Sequence, residues 1–232
     1  MNSNNLRQQF LSDGFFTVPQ LIPMADVAEL RELYDAVLER RIDCAEDDRM
    51  LGNLTRQIMN PARQHAGFRD NPALRAARAM AAEALDCPDP VPVYSMLIYK
   101  PPLHAATTPW HQDQSYLHMP FTRPGTPIAA RFLQFWLALD DVDEATGCMH
   151  FLPGHSLERV LPHEVAGGAA DDAGRLLAIA DAEATLPLRN AVACPLAAGG
   201  CTAHGPGTPH FTSANQSATR HRRAYIFNFA AR

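Results

Sequence analysis

The sequence predicts an α+β fold, with helices in the first part of the chain and a jelly-roll β-sandwich in the second. Before Pro90, apolar residues recur every three or four positions, the spacing of amphipathic helices. Beyond Pro90, short segments rich in β-formers are separated by Pro, Gly and Asp turns, which indicates a sandwich or a double-sheet jelly roll. A chain of 232 residues suits one domain. We expect a mainly helical part over 1–90 and the jelly-roll core over 91–232.

Two helices are predicted in the first part. Residues 24–38 place their apolar side chains on one helical face. Residues 72–85 do the same, and Asn71 followed by Pro72 is a plausible cap and first turn. The segment 13–19 is predicted to form a turn and a short strand.

Six strands are predicted in the second part, each ended by a turn-forming sequence. They cover residues 91–99, 131–139, 148–152, 191–195, 201–204 and 224–230. Residues 163–190 are too long for a hairpin turn, so we expect a lid or an insertion there, with a helical piece around 176–182. This segment and residues 116–126 are candidates for substrate contact.

Charge and composition exclude several classes of function. The net charge is -5 and no long basic run occurs, which argues against a nucleic-acid partner. No apolar stretch of about 18 residues predicts a membrane span, and the first residues do not resemble a signal peptide. The five scattered cysteines predict reduced thiols. We therefore expect a cytoplasmic protein that acts on a small molecule.

A candidate metal site begins with the triplet His111, Gln112 and Asp113. On an extended segment, residues i and i+2 point to the same side, so one imidazole and one carboxylate can reach one cation. Two histidines with one carboxylate and open positions form the site used for Fe(II) oxygen chemistry. Alone, the triplet is a weak signal, because the chain has ten histidines.

Residues near the end of the chain strengthen the hypothesis. His210 follows Pro209 at a turn, and Arg222 lies on the predicted last strand. An arginine beside a metal can bind the distal carboxylate of an oxo-acid with two donors. Thr212, two residues after His210, could donate a hydroxyl to the same carboxylate.

These motifs together resemble the phytanoyl-CoA dioxygenase family, from about Asp13 to the end of the chain. The matching stretches are DGFFTVP at 13–19, KPP at 100–102, PWHQD at 109–113, FWLALDD at 135–141, GCMHFLPG at 147–154 and His210, Asn215 and Arg222 to Ala224. The resemblance implies a double-stranded β-helix (a jelly-roll, cupin-like core) with N-terminal helices packed on it. It also implies Fe(II), 2-oxoglutarate as co-substrate, and O2.

The resemblance also implies roles for individual residues. By position, His111, Asp113 and His210 would bind iron. His204 is the histidine most easily mistaken for a ligand, and we expect it not to bind the metal. Arg222 and Thr212 would bind the tail of 2-oxoglutarate. Met96, Gln112 and Trp136 would line its pocket, and Arg56 or Gln57 is a looser candidate.

The sequence departs from the family pattern near the second histidine. Gly199 and Gly200 stand where the family usually has Gly-Asp, and one extra residue precedes the Arg222 stretch. Because a shift of one residue reverses the facing of a strand unless a bulge absorbs it, Arg223 is a rival for the carboxylate anchor.

The sequence therefore predicts an enzyme that hydroxylates a C–H bond of a small metabolite or natural-product intermediate and releases succinate and CO2. The presence of Asp113 favours hydroxylation, since related halogenases have a small residue there. Two alternatives remain at this stage: a cupin-type metalloenzyme without 2-oxoglutarate, and a non-catalytic ligand-binding jelly roll.

Overall fold

The computed structural model describes residues 6–116, 131–154 and 159–231. Its α-helices are α1 (Leu6–Asp13), α2 (Met24–Leu38), α3 (Ala66–Arg69), α4 (Pro72–Leu85) and α5 (Ala182–Thr185). Its strands are β1 (Phe15–Val18), β2 (Asp48–Leu51), β3 (Thr55–Met59), β4 (Val91–Lys100), β5 (Thr108–His111), β6 (Phe132–Ala138), β7 (Met149–Phe151), β8 (His163–Gly167), β9 (Leu176–Ile179), β10 (Val192–Cys194), β11 (Cys201–His204), β12 (His210–Thr212) and β13 (Arg222–Ala230). Within these ranges, no helix is long and apolar enough to cross a membrane.

Both predicted helices form with the predicted bounds. The Asn71 side chain caps α4 by accepting a hydrogen bond of 3.1 Å from the Leu74 backbone N–H. Small residues on one face of α4, among them Ala77 and Ala81, are fully buried. They let the helix pack closely against β6 and β13.

A seven-stranded sheet in the order β1-β11-β6-β13-β4-β3-β2 forms the centre of the fold. Successive side chains along each strand point to opposite faces of this sheet. On β13, Tyr225, Phe227 and Phe229 join the core under the helices, whereas Ala224 and Ile226 face the opposite layer. Because β6 is buried on both faces, its sequence has no polar alternation to reveal which side is which.

The opposite layer is a four-stranded sheet in the order β10-β7-β12-β5. A second apolar cluster, including Phe151 and Cys148, fills the space between the two sheets. The fold is therefore a jelly-roll sandwich with helices on the outer face of its larger sheet, as the sequence predicts. Its candidate site lies between the two sheets.

The first 90 residues contribute more strand than the sequence suggests. The predicted strand near the start is β1, which pairs with β11. The hairpin β2–β3, which was not predicted, adds the other edge of the same sheet through pairing of β3 with β4. Part of the mainly helical segment thus belongs to the sheet that carries the site.

The expectation of a helical piece around 176–182 is wrong. Residues Leu176–Ile179 form β9, which pairs with β8 in a separate two-stranded sheet, and the short helix Ala182–Thr185 begins only at the last residue of the predicted piece. Leu176 and Ile179 are buried, so pairing and burial outweigh the helix propensity of this Ala- and Leu-rich stretch. Of the residues 116–126, all but Tyr116 lie outside the described ranges.

Candidate active site

Two neighbouring strands of the smaller sheet bring the predicted histidines together. His111 ends β5 and His210 begins β12, and the two residues are direct partners across the antiparallel pair. Asp113 is the first residue of a short 3-10 turn after β5. The nitrogen and oxygen atoms that these three side chains can offer to a metal all lie within 4.8 Å of one another.

The hydrogen bonds of the two histidines leave the correct nitrogen free for a metal. Nδ1 of His111 lies 2.8 Å from the Pro109 carbonyl oxygen, and Nδ1 of His210 lies 2.9 Å from that of Thr208. A carbonyl oxygen only accepts, so each Nδ1 carries the proton and each Nε2 has its lone pair available. Both Nε2 atoms approach Oδ1 of Asp113, at 3.6 and 3.7 Å. This donor set fits Fe(II).

The other oxygen of Asp113 is held by neighbours. Gln134 donates a hydrogen bond of 2.6 Å from Nε2 to Oδ2, and Nε2 of His204 lies 3.2 Å from the same oxygen. Tyr94 in turn donates to Oε1 of Gln134 at 3.1 Å. His204, which we expected not to bind the metal, thus contacts the Asp113 carboxylate and is not part of the three-residue cluster. Gln134 was missed by sequence reasoning, although it lies two residues before Trp136 on β6 and so shares its face.

The pKa shifts of Asp113 and His210 favour the protonation states that bind a cation. Burial alone would raise the pKa of Asp113, but the proximity of His210, and then of His111 and His204, holds it well below its usual value. Burial, and then the proximity of His111, lower the pKa of His210 well below its usual value. An ionised carboxylate beside a neutral imidazole is the state that binds a metal.

The cluster opens into a cavity of about 540 Å³ between the sheets. Predicted site residues that line it are His111, Asp113, His210, Arg222, Thr212, Met96 and Trp136. Other lining residues, which the sequence analysis did not single out, include Arg49, Asn60, Tyr94, Gln134 and Arg175. The cavity is large enough for an oxo-acid together with part of an organic substrate.

Arg222 lies in this cavity as a fully buried cation. Its guanidinium carbon is 4.7 Å from the centre of the Trp136 ring, and Nε donates to the Gly147 carbonyl oxygen at 3.3 Å. No ion pair joins it to an acidic side chain in the described part of the chain. Burial lowers its pKa to about 10, so it stays charged at neutral pH. The space beside it suits a carboxylate.

Arg223 lies on the other face of β13, towards the helices. Its guanidinium binds Asp140 at 2.7 Å and Asp35 of α2 at 2.8 Å. The register, with Arg222 opposite Lys100 and Arg223 opposite Tyr99, gives Arg222 the cavity side. Of the two rivals, only Arg222 can reach an anion between the sheets.

Lys100 is a second buried basic side chain next to this site, and it is the only lysine in the chain. Its Nζ donates to Oγ1 of Thr212 at 3.0 Å and to the Ser213 carbonyl oxygen at 2.8 Å. Because the Lys100 amine donates to Oγ1, the Thr212 hydroxyl hydrogen stays free to point into the cavity. Burial, and then the charge of Arg222, lower the pKa of Lys100 to about 6.

The remaining pocket predictions have mixed outcomes. Met96 lines the cavity, and its sulfur accepts a hydrogen bond of 3.2 Å from Gln57. Gln57 also faces the cavity, whereas Arg56 pairs with Asp48. The geometry does not support Gln112 as a lining residue. Its amide instead donates to the carbonyl oxygens of Arg159 and Gly207 at 2.8 and 2.6 Å, and accepts from Leu161 at 2.7 Å.

A comparison with protein families agrees with this geometry. The model of the phytanoyl-CoA dioxygenase (PhyH) family matches residues 10–224. The chain belongs to this family. A curated PhyH relative, phytanoyl-CoA dioxygenase domain-containing protein 1 of Bos taurus, is 38% identical over 73 residues. That match covers 32% of this chain and 23% of the relative, so it spans less than a quarter of the relative's length.

Solved structures of similar proteins extend the comparison over the whole chain. EvdO2 from Micromonospora carbonacea var. aurantiaca, in complex with 2-oxoglutarate, is 33% identical with a TM-score of 0.79, covering 100% of this chain and 91% of that one. The epimerase SnoN, in complex with Fe3+, alpha ketoglutarate and nogalamycin RO, is 23% identical with a TM-score of 0.72, covering 97% and 82%. The carbocyclase SnoK is 20% identical with a TM-score of 0.70, covering 100% and 84%.

SnoN and SnoK share the fold of this PhyH protein, and at their identities the likeness goes no further. The family match, the 2-oxoglutarate complex of EvdO2 and the His-Asp-His cluster identify Fe(II) and 2-oxoglutarate as the cofactors. O2 follows from oxygenase chemistry. The chain is a 2-oxoglutarate-dependent oxygenase.

Proposed function

We propose that this oxygenase hydroxylates a C–H bond of a small organic substrate, a metabolite or a natural-product intermediate, with release of succinate and CO2. The observation that carries the proposal is the open side of the His111, Asp113 and His210 cluster, which faces a cavity with a buried guanidinium inside it. In this proposal the three clustered side chains bind iron. Iron with 2-oxoglutarate supplies the oxidising chemistry that activates O2, which side chains alone do not provide.

The residues around the metal site would hold the co-substrate. Arg222 binds its distal carboxylate with two donors, and the ring of Trp136 keeps the guanidinium in place. Thr212 donates its hydroxyl hydrogen to the same carboxylate, because its oxygen already accepts a hydrogen bond from Lys100. Met96 packs against the carbon chain of the oxo-acid.

Hydroxylation is favoured over the epimerisation that the name of SnoN describes. An epimerase must return a hydrogen atom to its substrate, which requires a suitable donor in the cavity. Among the described residues that line the cavity there is no thiol, and the Tyr94 hydroxyl donates to Gln134, which leaves the Tyr116 hydroxyl, an acceptor from the Leu177 backbone N–H, as the candidate donor. Return of oxygen to the substrate requires no such donor.

The test combines a substrate screen with labelled oxygen. We expect succinate release that depends on substrate, Fe(II) and O2, and a product that carries one oxygen atom from ¹⁸O2. His111→Ala and Asp113→Ala should abolish both signals. His150→Ala is a matched control, because His150 lies beside Glu144 and Phe211 and outside the cavity lining, and it should retain turnover. An isomerised product without added oxygen would refute hydroxylation.

A further inference from the structure

Besides Arg222, two arginines line the cavity without an acidic partner among the described residues. Arg49 lies on β2, and Arg175 lies one residue before β9. Both are half-buried, and neither forms an ion pair in the part of the chain that the structure describes. By contrast, Arg56 on the neighbouring strand β3 forms an ion pair of 2.8 Å with Asp48. Within the described ranges, the only side-chain hydrogen bond of Arg175 goes from Nη1 to the Asp172 backbone carbonyl at 3.2 Å.

The β2–β3 hairpin, which carries Arg49, contacts the β8–β9 hairpin, which carries Arg175, through glycines. The Gly52 backbone N–H, in the β2–β3 turn, donates to the Gly174 carbonyl oxygen at 2.7 Å. Gly52 has a φ of +60°, and a Cβ there would lie 2.7 Å from Cβ of Leu176. A Cβ on Gly167 would lie 2.9 Å from the Gly52 carbonyl oxygen. The close approach of backbone to backbone holds the two hairpins side by side at the cavity.

Both arginines belong to the same space as the metal cluster. Arg49 is the cross-strand partner of Gln57, which faces the cavity beside Met96. On the other side, the Leu177 backbone N–H donates to the Tyr116 hydroxyl at 2.7 Å, and the Tyr116 ring lies edge-on to His111 at 6.0 Å. A molecule that reaches the cluster therefore lies against both hairpins.

The charges of the loaded site leave these arginines uncompensated. The positive charges of Fe(II) and Arg222 are balanced by Asp113 and by the two carboxylates of 2-oxoglutarate. Lys100 is fully buried behind Thr212 and does not line the cavity. Two guanidinium groups in a partly desolvated cavity attract an anion strongly, because the local dielectric screens them less than water does.

We propose that Arg49 and Arg175 bind an anionic group of the substrate, a carboxylate or a phosphate, and so select acidic substrates. This inference rests on the proposed function, because it assigns the substrate class of the same cavity. Each guanidinium offers planar paired donors that match either anion. The anion would be fixed at the hairpins while the remainder of the substrate extends towards the iron.

The experiment uses inorganic phosphate and benzoate as probes, with benzamide as the neutral counterpart of benzoate. Binding is measured by calorimetry on the full chain loaded anaerobically with Fe(II) and saturating 2-oxoglutarate. The visible absorption of the Fe(II)–2-oxoglutarate complex is recorded in parallel, to show that the probe does not displace the co-substrate. Arg49→Gln and Arg175→Gln are compared with Arg189→Gln. Arg189 is an exposed arginine in the same insertion as Arg175, with no ion pair in the described ranges, and it does not line the cavity.

We expect phosphate or benzoate to bind the wild type, and benzamide not to bind. Each of Arg49→Gln and Arg175→Gln should weaken binding about tenfold, and the double variant should abolish it. Tighter binding of phosphate than benzoate would assign a phosphate group, and the reverse a carboxylate. Absent binding to the wild type, or undiminished binding to the double variant, would overturn the inference.

Failure of the proposed function gives a different result, an isomerised product without added oxygen, and leaves these titrations unchanged. If instead the Fe(II)–2-oxoglutarate absorption does not form in the wild type, the cofactor assignment fails. The phosphate titration is then run on the metal-free chain, where loss of binding in Arg49→Gln and Arg175→Gln still supports the anion site. Equal binding by all the variants in that titration contradicts it.

Discussion

The amide of Gln134 donates a hydrogen bond of 2.6 Å to Oδ2 of Asp113, the oxygen that is farther from His111 and His210. This contact, with that of His204 at 3.2 Å, fixes the carboxylate so that its Oδ1 faces His111 and His210. Such supporting hydrogen bonds typically contribute about 10- to 100-fold to metal affinity. The geometry of the carboxylate thus depends on a residue that touches no metal.

Replacing Gln134 should therefore weaken iron binding. We expect Gln134→Leu to raise the Kd for Fe(II) by about 10-fold or more, measured by anaerobic titration with a competing chelator. Tyr94→Phe removes only the hydroxyl that positions Gln134, and should have a smaller effect in the same direction. Equal affinities of Gln134→Leu and the wild type would show that Asp113 is oriented by other contacts.

Arg222 and Arg223 should respond to mutation in opposite ways. Arg222→Lys should raise the Kd for 2-oxoglutarate by about tenfold or more and leave Fe(II) affinity unchanged, because lysine cannot form the paired contact. Arg223→Gln should leave 2-oxoglutarate binding intact. It should lower the free energy of unfolding by about 1–3 kcal/mol through loss of its contacts with Asp140 and Asp35. The reverse assignment would mean that the register of β13 is shifted by one residue.

Lys100 should make stability depend on pH. Its pKa is about 6 in the folded chain and returns to the ordinary 10.5 on unfolding. Between these values the unfolded chain binds a proton that the folded chain does not, so stability rises with pH across this window, by at most about 1.4 kcal/mol per pH unit. In Lys100→Met this contribution disappears. Urea unfolding at about pH 7 and about pH 9 should therefore show a larger gain for the variant at the lower pH.

A direct measurement of the Lys100 pKa is available because the chain has no other lysine. Labelling with ¹³C-lysine gives a single side-chain signal, whose shift with pH reports the titration. Arg222 and His104 are the charged or titratable groups coupled to it. A midpoint near 10 would show that water or an anion reaches the amine.

The junction of the two hairpins should tolerate no side chain at Gly52. Gly52→Ala combines a positive φ with a clash against Leu176, so we expect a loss of about 1–3 kcal/mol in the free energy of unfolding. Faster hydrogen exchange should be confined to β2–β3 and β8–β9. Asn53→Gly is the control: this neighbour also has a positive φ, of 61°, and is exposed, so glycine should be accommodated without loss.

The sequence predicted those parts of the fold that depend on local patterns. α2 and α4 have the predicted bounds because their apolar faces and the Asn71 cap are encoded within each segment. β9 was mistaken for helix because its strand conformation depends on pairing with β8, and the β2–β3 hairpin was missed because its partner, β4, lies more than 30 residues away. Motif spacing located His111, Asp113 and His210, but no local pattern showed that the Gln112 amide is used by three backbone groups.

Net charge was a poor guide to the charge of the cavity. A chain with a net charge of -5 gave little reason to expect a basic cavity. Folding nevertheless places Arg49 and Arg175 in the cavity, while acidic residues such as Asp35, Asp48 and Asp140 are used by other arginines. The local charge of a site depends on which pairs form, and a total over the sequence does not contain that information.

A buried guanidinium that lacks a counter-ion in the described part of the chain would link the abundance of the protein to the metabolic state of its cell. If the oxo-acid neutralises Arg222, the folded chain gains stability whenever cellular 2-oxoglutarate exceeds its Kd. Starvation for this acid would then enlarge the unfolded fraction and hasten proteolysis, so that the enzyme is degraded when its co-substrate is scarce. Pulse-chase half-lives of wild type and Arg222→Met, in cells with high and low 2-oxoglutarate, would reveal this dependence, and equal half-lives for the wild type would refute it.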